Sequence, residues 1–484
     1  MRTFRAAFHF LDMTDLSYRG KPYPQTHPVR LATIARLYGL EPAPVDHCRV
    51  LEIGCADGVN ALAMASQLPR SEFVALDLDE ISIQGARRFA RESGIRNLAL
   101  HAMDLCDVAA SFGEFDYIVA HGMYSWLPAA ARDFLLTLCR ERLRPNGVAF
   151  VSFAVYPGCF LEQPLRGALQ RVSGDVPPEN RIAAAREFGE LVSRHAPTPG
   201  LRALLEEECA TIARAPDWHL LGDHLVESFH PVYFADFIRH TASHHLRYLA
   251  EAELGDLGES GIEPAALEAI RPLAHGDPLA HQQYLDLLRF RRYRQALLVQ
   301  ERAAPLPQPD PAILAELFAG APLRRVDSAH AARPPGVEEF ENLNLSTRFA
   351  TNTPALKAAL HRLAASWPSY LPCRELDAPH AILLDLFAAG VLDLRTLPPA
   401  LDALGAARPC APALVRAQAA AGRAVASLLH YEVNLEDPFS RALLAMLDGR
   451  RTPSELAATA GCGGQLVEHC LGIFRRHGLL KASR

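Results

Sequence analysis

Between Val50 and Asn60 the chain reads VLEIGCADGVN, with an acidic residue two places before one glycine and a second glycine four places further on. The apolar RVLEI ahead of it has the composition of a buried strand, and NALAMASQL behind it carries alanine and leucine at helical spacing. Gly54 and Gly58 therefore fall on a strand-to-helix turn. Such a turn points backbone N–H groups and a helix N-terminus at a ligand, which suits a carboxylate or a phosphate. A dinucleotide site asks for G-x-G-x-x-G, but Ala56 and Val59 take the second and third glycine places, and the nicotinamide reading weakens. About twenty residues on, a second apolar strand, EFVALDLD, ends in Asp77, where a carboxylate can accept from both hydroxyls of a ribose.

At Glu52, Gly54, Gly58 and Asp77 the chain resembles the class I S-adenosylmethionine-dependent methyltransferases. Downstream, HAMDL closes a third strand at Asp104, where that family often carries an acidic residue near the adenine amino group. EFDYIVAHG reads as a fourth strand opening at Asp116, and LRPNGVAFVSF as a helix end, a Pro-Asn-Gly turn and a fifth strand. Five such units imply an α/β fold, an open and mostly parallel sheet with its ligand over the strands' C-terminal ends. Singly, Glu52 or Asp104 reads as an ordinary capping or loop acid; their joint spacing points to a site. The resemblance implies S-adenosyl-L-methionine as cofactor, held by Glu52, Gly54, Cys55, Ala56 and Gly58 of the turn, by Asp77 and Leu78, and by Asp104 and Leu105.

With 484 residues the chain exceeds one hydrophobic core and is expected to divide into roughly three domains. Its 49 basic and 55 acidic residues leave a net charge of −6, which excludes a general attraction to nucleic acid or anionic membrane. The ten cysteines form no C-x-x-C pair, against a zinc cluster or a disulfide framework and in favour of reduced thiols in a cytoplasm. The N-terminal MRTFRAAFHFLDMTD lacks a long apolar core and a cleavage site, and no stretch reaches the ~20 apolar residues of a membrane span. Lys21, Lys357 and Lys481 are the only lysines. Few self-targets would suit a lysine-modifying enzyme, although an arginine-favouring coding bias is the simpler cause.

Beyond the first domain, 161–215 is polar and helical, and HLVESFHPVYFADFIRHTASHHLRYLAEAEL packs Phe234, Phe237 and Ile238 on one helical face. His219, His224, His230, His240, His244 and His245 invite a metal reading, but solvent-facing helix histidines are the expected account, with no metal. With THPVRLATIARLYGL, HGMYSWLP and YLDLLRFRRYRQALL, this segment is similar to the bacterial methyltransferases that carry a methyltransferase regulatory domain. That group includes protein-lysine methyltransferases acting on outer-membrane proteins. The resemblance implies a Rossmann-like methyltransferase domain over 1–160, a mostly helical middle domain over 161–304, a linker and helical region over 305–430, and a winged-helix-like domain over 431–484. The linker is AAPLPQPDP. Where many relatives have a YNTYPGWH-like segment this chain has FAVYPGCF, so Ala154, Cys159 and Phe160 unsettle the inherited acceptor. In the last domain Pro453 opens a helix and Gly461 closes it; the following GQLVEHCLGIFRRHG has no basic stripe, favouring packing or homodimer formation over DNA.

Methyl transfer from a sulfonium is an in-line displacement, so the protein mainly aligns the nucleophile and excludes water. A lysine nucleophile, with a free pKa of about 10.4, must first lose its proton. HGMYSWLP follows the fourth strand and would bring His121, Tyr124 and Trp126 beside the methyl group as catalytic candidates, His121 touching the cofactor as well. Tyr23, His27 and Arg30 could close over the cofactor, with Arg30 pairing its carboxylate. Tyr124 and Trp126 read equally as packing for the following helix. The expected function is N-methylation of lysine in a protein or peptide partner. Methylation of a small molecule or peptide in a biosynthetic pathway, and a non-catalytic S-adenosylmethionine-binding regulator, stay open.

Overall fold

The computed structural model describes residues 18–160, 162–326, 334 and 336–482. The reading of the N-terminal fifteen residues lies outside this set. Seven strands form the central sheet: β1 (Arg49–Ile53), β2 (Glu72–Asp77), β3 (Leu98–Ala102), β4 (Phe115–Ala120), β5 (Leu143–Ala154), β6 (Leu246–Glu251) and β7 (Tyr293–Gln300). Their order is β3-β2-β1-β4-β5-β7-β6. The first five pair in parallel, and β7 runs antiparallel between β5 and β6. All six positions of β4 are buried, as in a strand covered on both faces. Helices α1 (Pro28–Leu37), α2 (Val59–Gln67), α3 (Glu80–Glu92) and α4 (Ala129–Arg142) supply that cover. The strand order reverses between β1 and β4, which opens a crevice above their C-terminal ends.

Gly58 caps α2 at φ +72°, and a Cβ there would lie 2.8 Å from the Ala86 Cβ on α3. Only glycine meets both demands, the left-handed turn and the close approach of α2 to α3.

After β5 come α5 (Glu162–Gly174), α6 (Arg181–Arg194), α7 (Pro199–Arg214) and the one-turn α8 (Asp217–His219). Leu165, Leu169, Ala185, Cys209, Ile212 and Leu220 give them a small core of their own. Next, α9 (Phe234–Ser243), α10 (Pro264–Leu273) and α11 (Pro278–Arg289) alternate with β6 and β7. The sheet therefore extends past residue 160, and the helical middle segment returns two strands to it, β6 at the edge and β7 inside. A fully buried ion pair network locks this return: Arg294 on β7 meets Glu251 at 2.7 Å and Asp286 of α11 at 2.7 Å. Removing one partner of such a network strands a buried charge, at about 3–5 kcal/mol. Because side chains alternate along a strand, Tyr293 faces the opposite side, toward the crevice.

In the last third, α12 (Pro354–Ser366) and α13 (His380–Ala388) pack with α1 in one core that joins Leu31 and Ile34 to Leu360 and Leu386. The proline-rich stretch before them is not a free tether. Leu306 N–H donates to the Tyr38 carbonyl at 2.8 Å and Asp310 N–H to the Leu37 carbonyl at 2.7 Å, so it is strapped to the exposed carbonyl end of α1. The final unit holds α14 (Ala413–Ala420), α15 (Pro438–Ala445), α16 (Pro453–Ala460) and α17 (Gly464–Arg476). One core runs from Ala411 and Val415 to Leu479 and Leu480, so this unit takes in residues on both sides of 430. Pro453 opens α16 behind a Thr452–Glu455 capping box, and Gly461 closes it at φ +65°. Arg475 of α17 turns to Asp402 at 3.4 Å.

Candidate cofactor and acceptor site

A cavity of about 860 Å³ sits over the C-terminal ends of β1 to β4, a size within the range of ligand sites. Its first side is made by turns. The β1–α2 turn presents Glu52, Gly54, Cys55 and Ala56; β2 presents Asp77, Leu78 and Asp79; β3 presents Met103, Asp104 and Leu105. Gly54 sits at φ +73°, and a Cβ on it would collide with Met123. The Asp77 carboxylate accepts from Ala56 N–H at 2.8 Å and from Asp79 N–H at 3.0 Å. These bonds fix it at the cavity wall, and burial raises its pKa.

Glu52 is 5% exposed. One carboxylate oxygen accepts from the Asn60 amide at 2.8 Å, while Oε2 is buried with no hydrogen-bond partner among the described residues. Burial, reinforced by the charges of Asp77 and Asp57, pushes this carboxyl up to about 7 against the pull of the Asn60 hydrogen bond. An oxygen so placed asks for a donor or cation from the cavity. Asn60 also donates to Thr26 Oγ1 at 3.0 Å, and its carbonyl oxygen accepts from Tyr23 N–H at 2.9 Å and faces His430 Nε2 at 2.8 Å. The C-terminal region thus reaches the back of the site through His430.

The second side is made by side chains from distant parts of the chain. Tyr18, Tyr23, Trp126 and Tyr293 line it with His121, Asp223, Glu227 and His230. Tyr23 stacks on His121 at 3.8 Å between ring centres. Burial, with the Lys21 charge, holds the His121 imidazole down to about 4, so at neutral pH it is an uncharged wall and a weak base. Tyr293 donates to Ser152 Oγ at 2.6 Å, which orients its ring. Asp223 accepts from Tyr18 Oη at 3.5 Å and pairs with His219 at 3.0 Å.

Of the residues singled out in the sequence, Tyr23, Glu52, Gly54, Cys55, Ala56, Asp77, Leu78, Asp104, Leu105, His121 and Trp126 line the cavity. Gly58 lies beneath it and shapes the turn. His27, Arg30 and Tyr124 do not line it, and their roles are corrected. His27 caps α1, accepting from Val29 N–H at 3.2 Å, and its ring meets that of His430 at 4.8 Å. Arg30, one turn along, points into the joint with the C-terminal region, where it pairs with Asp393 at 3.5 Å and lies over the Phe387 ring at 4.8 Å. Tyr124 is 2% exposed, packed on Phe153 and Phe237, with its hydroxyl 2.7 Å from His240 Nδ1. Packing won there because the short helix Tyr124–Trp126 turns its first residue into the sheet face and its third toward the cavity. His240 and His244, expected to face solvent, are instead half-buried against Asp133. Ala154 and Cys159 of the FAVYPGCF segment pack with Phe229 behind Trp126, while Phe160 is exposed. Asn60, Glu227 and Tyr293 lie inside VLEIGCADGVN, HLVESFHPVYF and YLDLLRFRRYRQALL with no spacing that marks them for the site, and Asp223 lies outside any such stretch.

A doubly wound sheet with a glycine turn at its switch point and strand-ending carboxylates over a nucleoside-sized cavity defines the class I S-adenosylmethionine-dependent methyltransferase architecture. Comparison with known proteins agrees. Residues 50–147 match a methyltransferase domain, 217–300 a "predicted methyltransferase regulatory domain", and 407–460 a "PKMT, C-terminal winged helix domain". An uncharacterized protein of Rickettsia prowazekii, RP789, is 30% identical over 374 residues, covering 75% of this chain and 67% of its own length. The structure of PKMT2 from Rickettsia typhi in complex with AdoHcy superposes with a TM-score of 0.83 at 22% identity, covering 96% of this chain and 99% of that one. A ubiquinone biosynthesis O-methyltransferase of Aromatoleum aromaticum is 31% identical over 138 residues, 28% of this chain and 55% of that protein. The chain belongs to the family of S-adenosylmethionine-dependent methyltransferases that carry a methyltransferase regulatory domain. The site fits that cofactor: the Asp77 carboxylate is fixed at the wall, and Glu52 Oε2 awaits a donor that a cationic amino acid moiety can provide.

Proposed function

We propose that this methyltransferase N-methylates lysine side chains of a protein or peptide. The observation that carries the reading is the second side of the cavity, where Asp223 and Glu227 stand among Tyr18, Tyr23, Trp126 and Tyr293. Carboxylates attract an ammonium group, and aromatic faces hold its alkyl stem and its charge. The names of relatives support it: the solved Rickettsia typhi protein is called PKMT2, and the C-terminal match is to a PKMT domain.

S-adenosylmethionine, when bound, supplies an electrophilic methyl carbon on a sulfonium. The chain's own residues then have three tasks. Asp77 would accept from the ribose hydroxyls, Asp104 and Leu105 would border the base, and Glu52 with the Gly54–Ala56 turn would hold the amino acid end. Asp223 and Glu227 bring in the lysine, whose proton leaves toward these carboxylates and the open mouth before its lone pair can attack. Tyr23 and His121, stacked, and Trp126 exclude water from the line of transfer. A mouth edged with carboxylates disfavours nucleic acid. Ten free thiols fit a cytoplasmic enzyme, and no helix of the described residues is long and apolar enough to cross a membrane.

Incubation with methyl-labelled cofactor and a fractionated bacterial extract tests this. Label is expected in protein, released as N-methyllysine on hydrolysis; label confined to small molecules would overturn the proposal and point to a biosynthetic methyltransferase.

A further inference from the structure

We propose that Asp133 on α4, His240 on α9 and His244 at the C-cap of α9 form a binding site for a zinc-class divalent ion, which clamps the regulatory segment to the wall of the cavity. Asp133 Oδ1 lies 2.7 Å from His240 Nε2 and 3.6 Å from His244 Nε2, and one ligand atom from each residue falls within 4.8 Å of the others. Tetrahedral zinc with bonds of about 2.0–2.1 Å sets its ligand atoms about 3.3 Å apart, so the two observed distances bracket the requirement. The two histidines are four residues apart, His240 in the last turn of α9 and His244 at its C-cap, and both turn Nε2 toward Asp133.

The far nitrogens of both rings are already held. His240 Nδ1 meets the Tyr124 hydroxyl at 2.7 Å and His244 Nδ1 meets the Thr137 hydroxyl at 3.2 Å. Hydroxyls donate or accept as needed, so each ring is steered with Nε2 toward Asp133, the outer support that metal-bound histidines show. Side-chain exposures of 24% for His240, 19% for His244 and 59% for Asp133 leave room for a water as fourth ligand. Two imidazoles and one carboxylate favour zinc or its neighbours over calcium or magnesium.

The placement gives the ion a task. Pro128 and Ala131, at the start of α4, line the cavity, and Tyr124 lies between cavity-lining Met123 and Trp126. Helix α9 belongs to the 217–300 segment that also delivers Asp223 and Glu227. An ion here holds those two parts together without touching the reacting atoms.

The test uses the whole chain, stripped with a chelator and titrated with zinc and, separately, cobalt. One ion per chain is expected, with the visible absorption of four-coordinate cobalt and a rise in melting temperature. Asp133→Ala and His244→Ala should each weaken zinc by more than about 100-fold, and Thr137→Val by about tenfold, as loss of an outer partner does. His245→Ala, an exposed neighbour paired with Glu301, should bind as the parent does. S-adenosylhomocysteine binding by the variants reports that they are folded. Parent-like zinc affinity in Asp133→Ala and His244→Ala, or no cobalt spectrum in the parent, would overturn the site.

Discussion

Where the cavity meets the strand ends, its wall is backbone: Gly54 and Ala56 in a turn, with Asp77 held by two N–H groups. Where it opens outward, its wall is side chains from residues 18–23, 126, 223–230 and 293, brought together from four separate segments. The first side is fixed by the ends of three neighbouring strands, β1, β2 and β3, and serves a cofactor common to a whole class. The second side depends on how an inserted helical segment and strand β7 fold back onto the sheet, so it can change its acceptor without disturbing the cofactor.

Substitutions can separate the two sides. Asp77→Ala should have the largest effect, because two charge-assisted hydrogen bonds at about 1.5–3 kcal/mol each position this group for its ligand. Calorimetry with S-adenosylhomocysteine should show at least about a 100-fold loss of affinity in a folded protein. Unchanged affinity would move the cofactor elsewhere.

On the other side, Asp223→Asn combined with Glu227→Gln removes the charges proposed to draw in an ammonium. We expect kcat/KM for a lysine peptide to fall about 10- to 100-fold, by loss of one charged contact's worth of binding. Cofactor affinity should stay within about twofold, since additivity holds between separated groups. A parallel loss of cofactor binding would show that the cavity is one site and not two.

Glu52 sharpens the comparison through pH. Its carboxyl, raised from 4.5 to about 7, holds a proton in the unliganded fold that the unfolded chain has already lost. Its contribution to stability therefore declines as pH rises from 4.5 to about 7 and is level above that. Cofactor binding should run the other way, because a cationic amino group prefers the ionised form. Affinity should strengthen between about pH 6 and 8, by at most about tenfold per unit, and Glu52→Gln should flatten the profile.

Tyr124→Phe is expected to do least. It deletes one partly buried hydrogen bond, to His240, and should cost about 0.5–1.5 kcal/mol in denaturant unfolding. Turnover and cofactor affinity should not change; a selective fall in turnover would restore Tyr124 to the catalytic side.

The family and the cofactor were readable because they rest on local rules. A glycine in the left-handed region, an acid at a strand end and a helix start leave a periodic trace over a few residues. The same rules do not place His27 and Arg30, and they leave Tyr124 open between packing and catalysis, although all three sit beside motif residues in the chain. Sequence proximity does not say which way a side chain points once α1 is covered by the C-terminal region, or once the Tyr124 ring has a pocket between Phe153 and Phe237. Proline-rich composition at 303–311 predicts a linker, because it does not reveal that Leu306 and Asp310 N–H groups find the Tyr38 and Leu37 carbonyls at the end of α1.

By itself the sequence determined the strand and helix succession of the first domain, the glycine turn and the two strand-ending carboxylates that follow it, since hydrophobic period and backbone sterics act over one or two turns of chain. Tertiary structure alone decided that β6 and β7 complete the sheet, that Asp223 and Glu227 face the mouth, that His430 backs Asn60, and that Asp133 meets His240 and His244. Those meetings join residues more than a hundred positions apart, and they are set by the burial of apolar faces over the whole molecule, which no local pattern encodes.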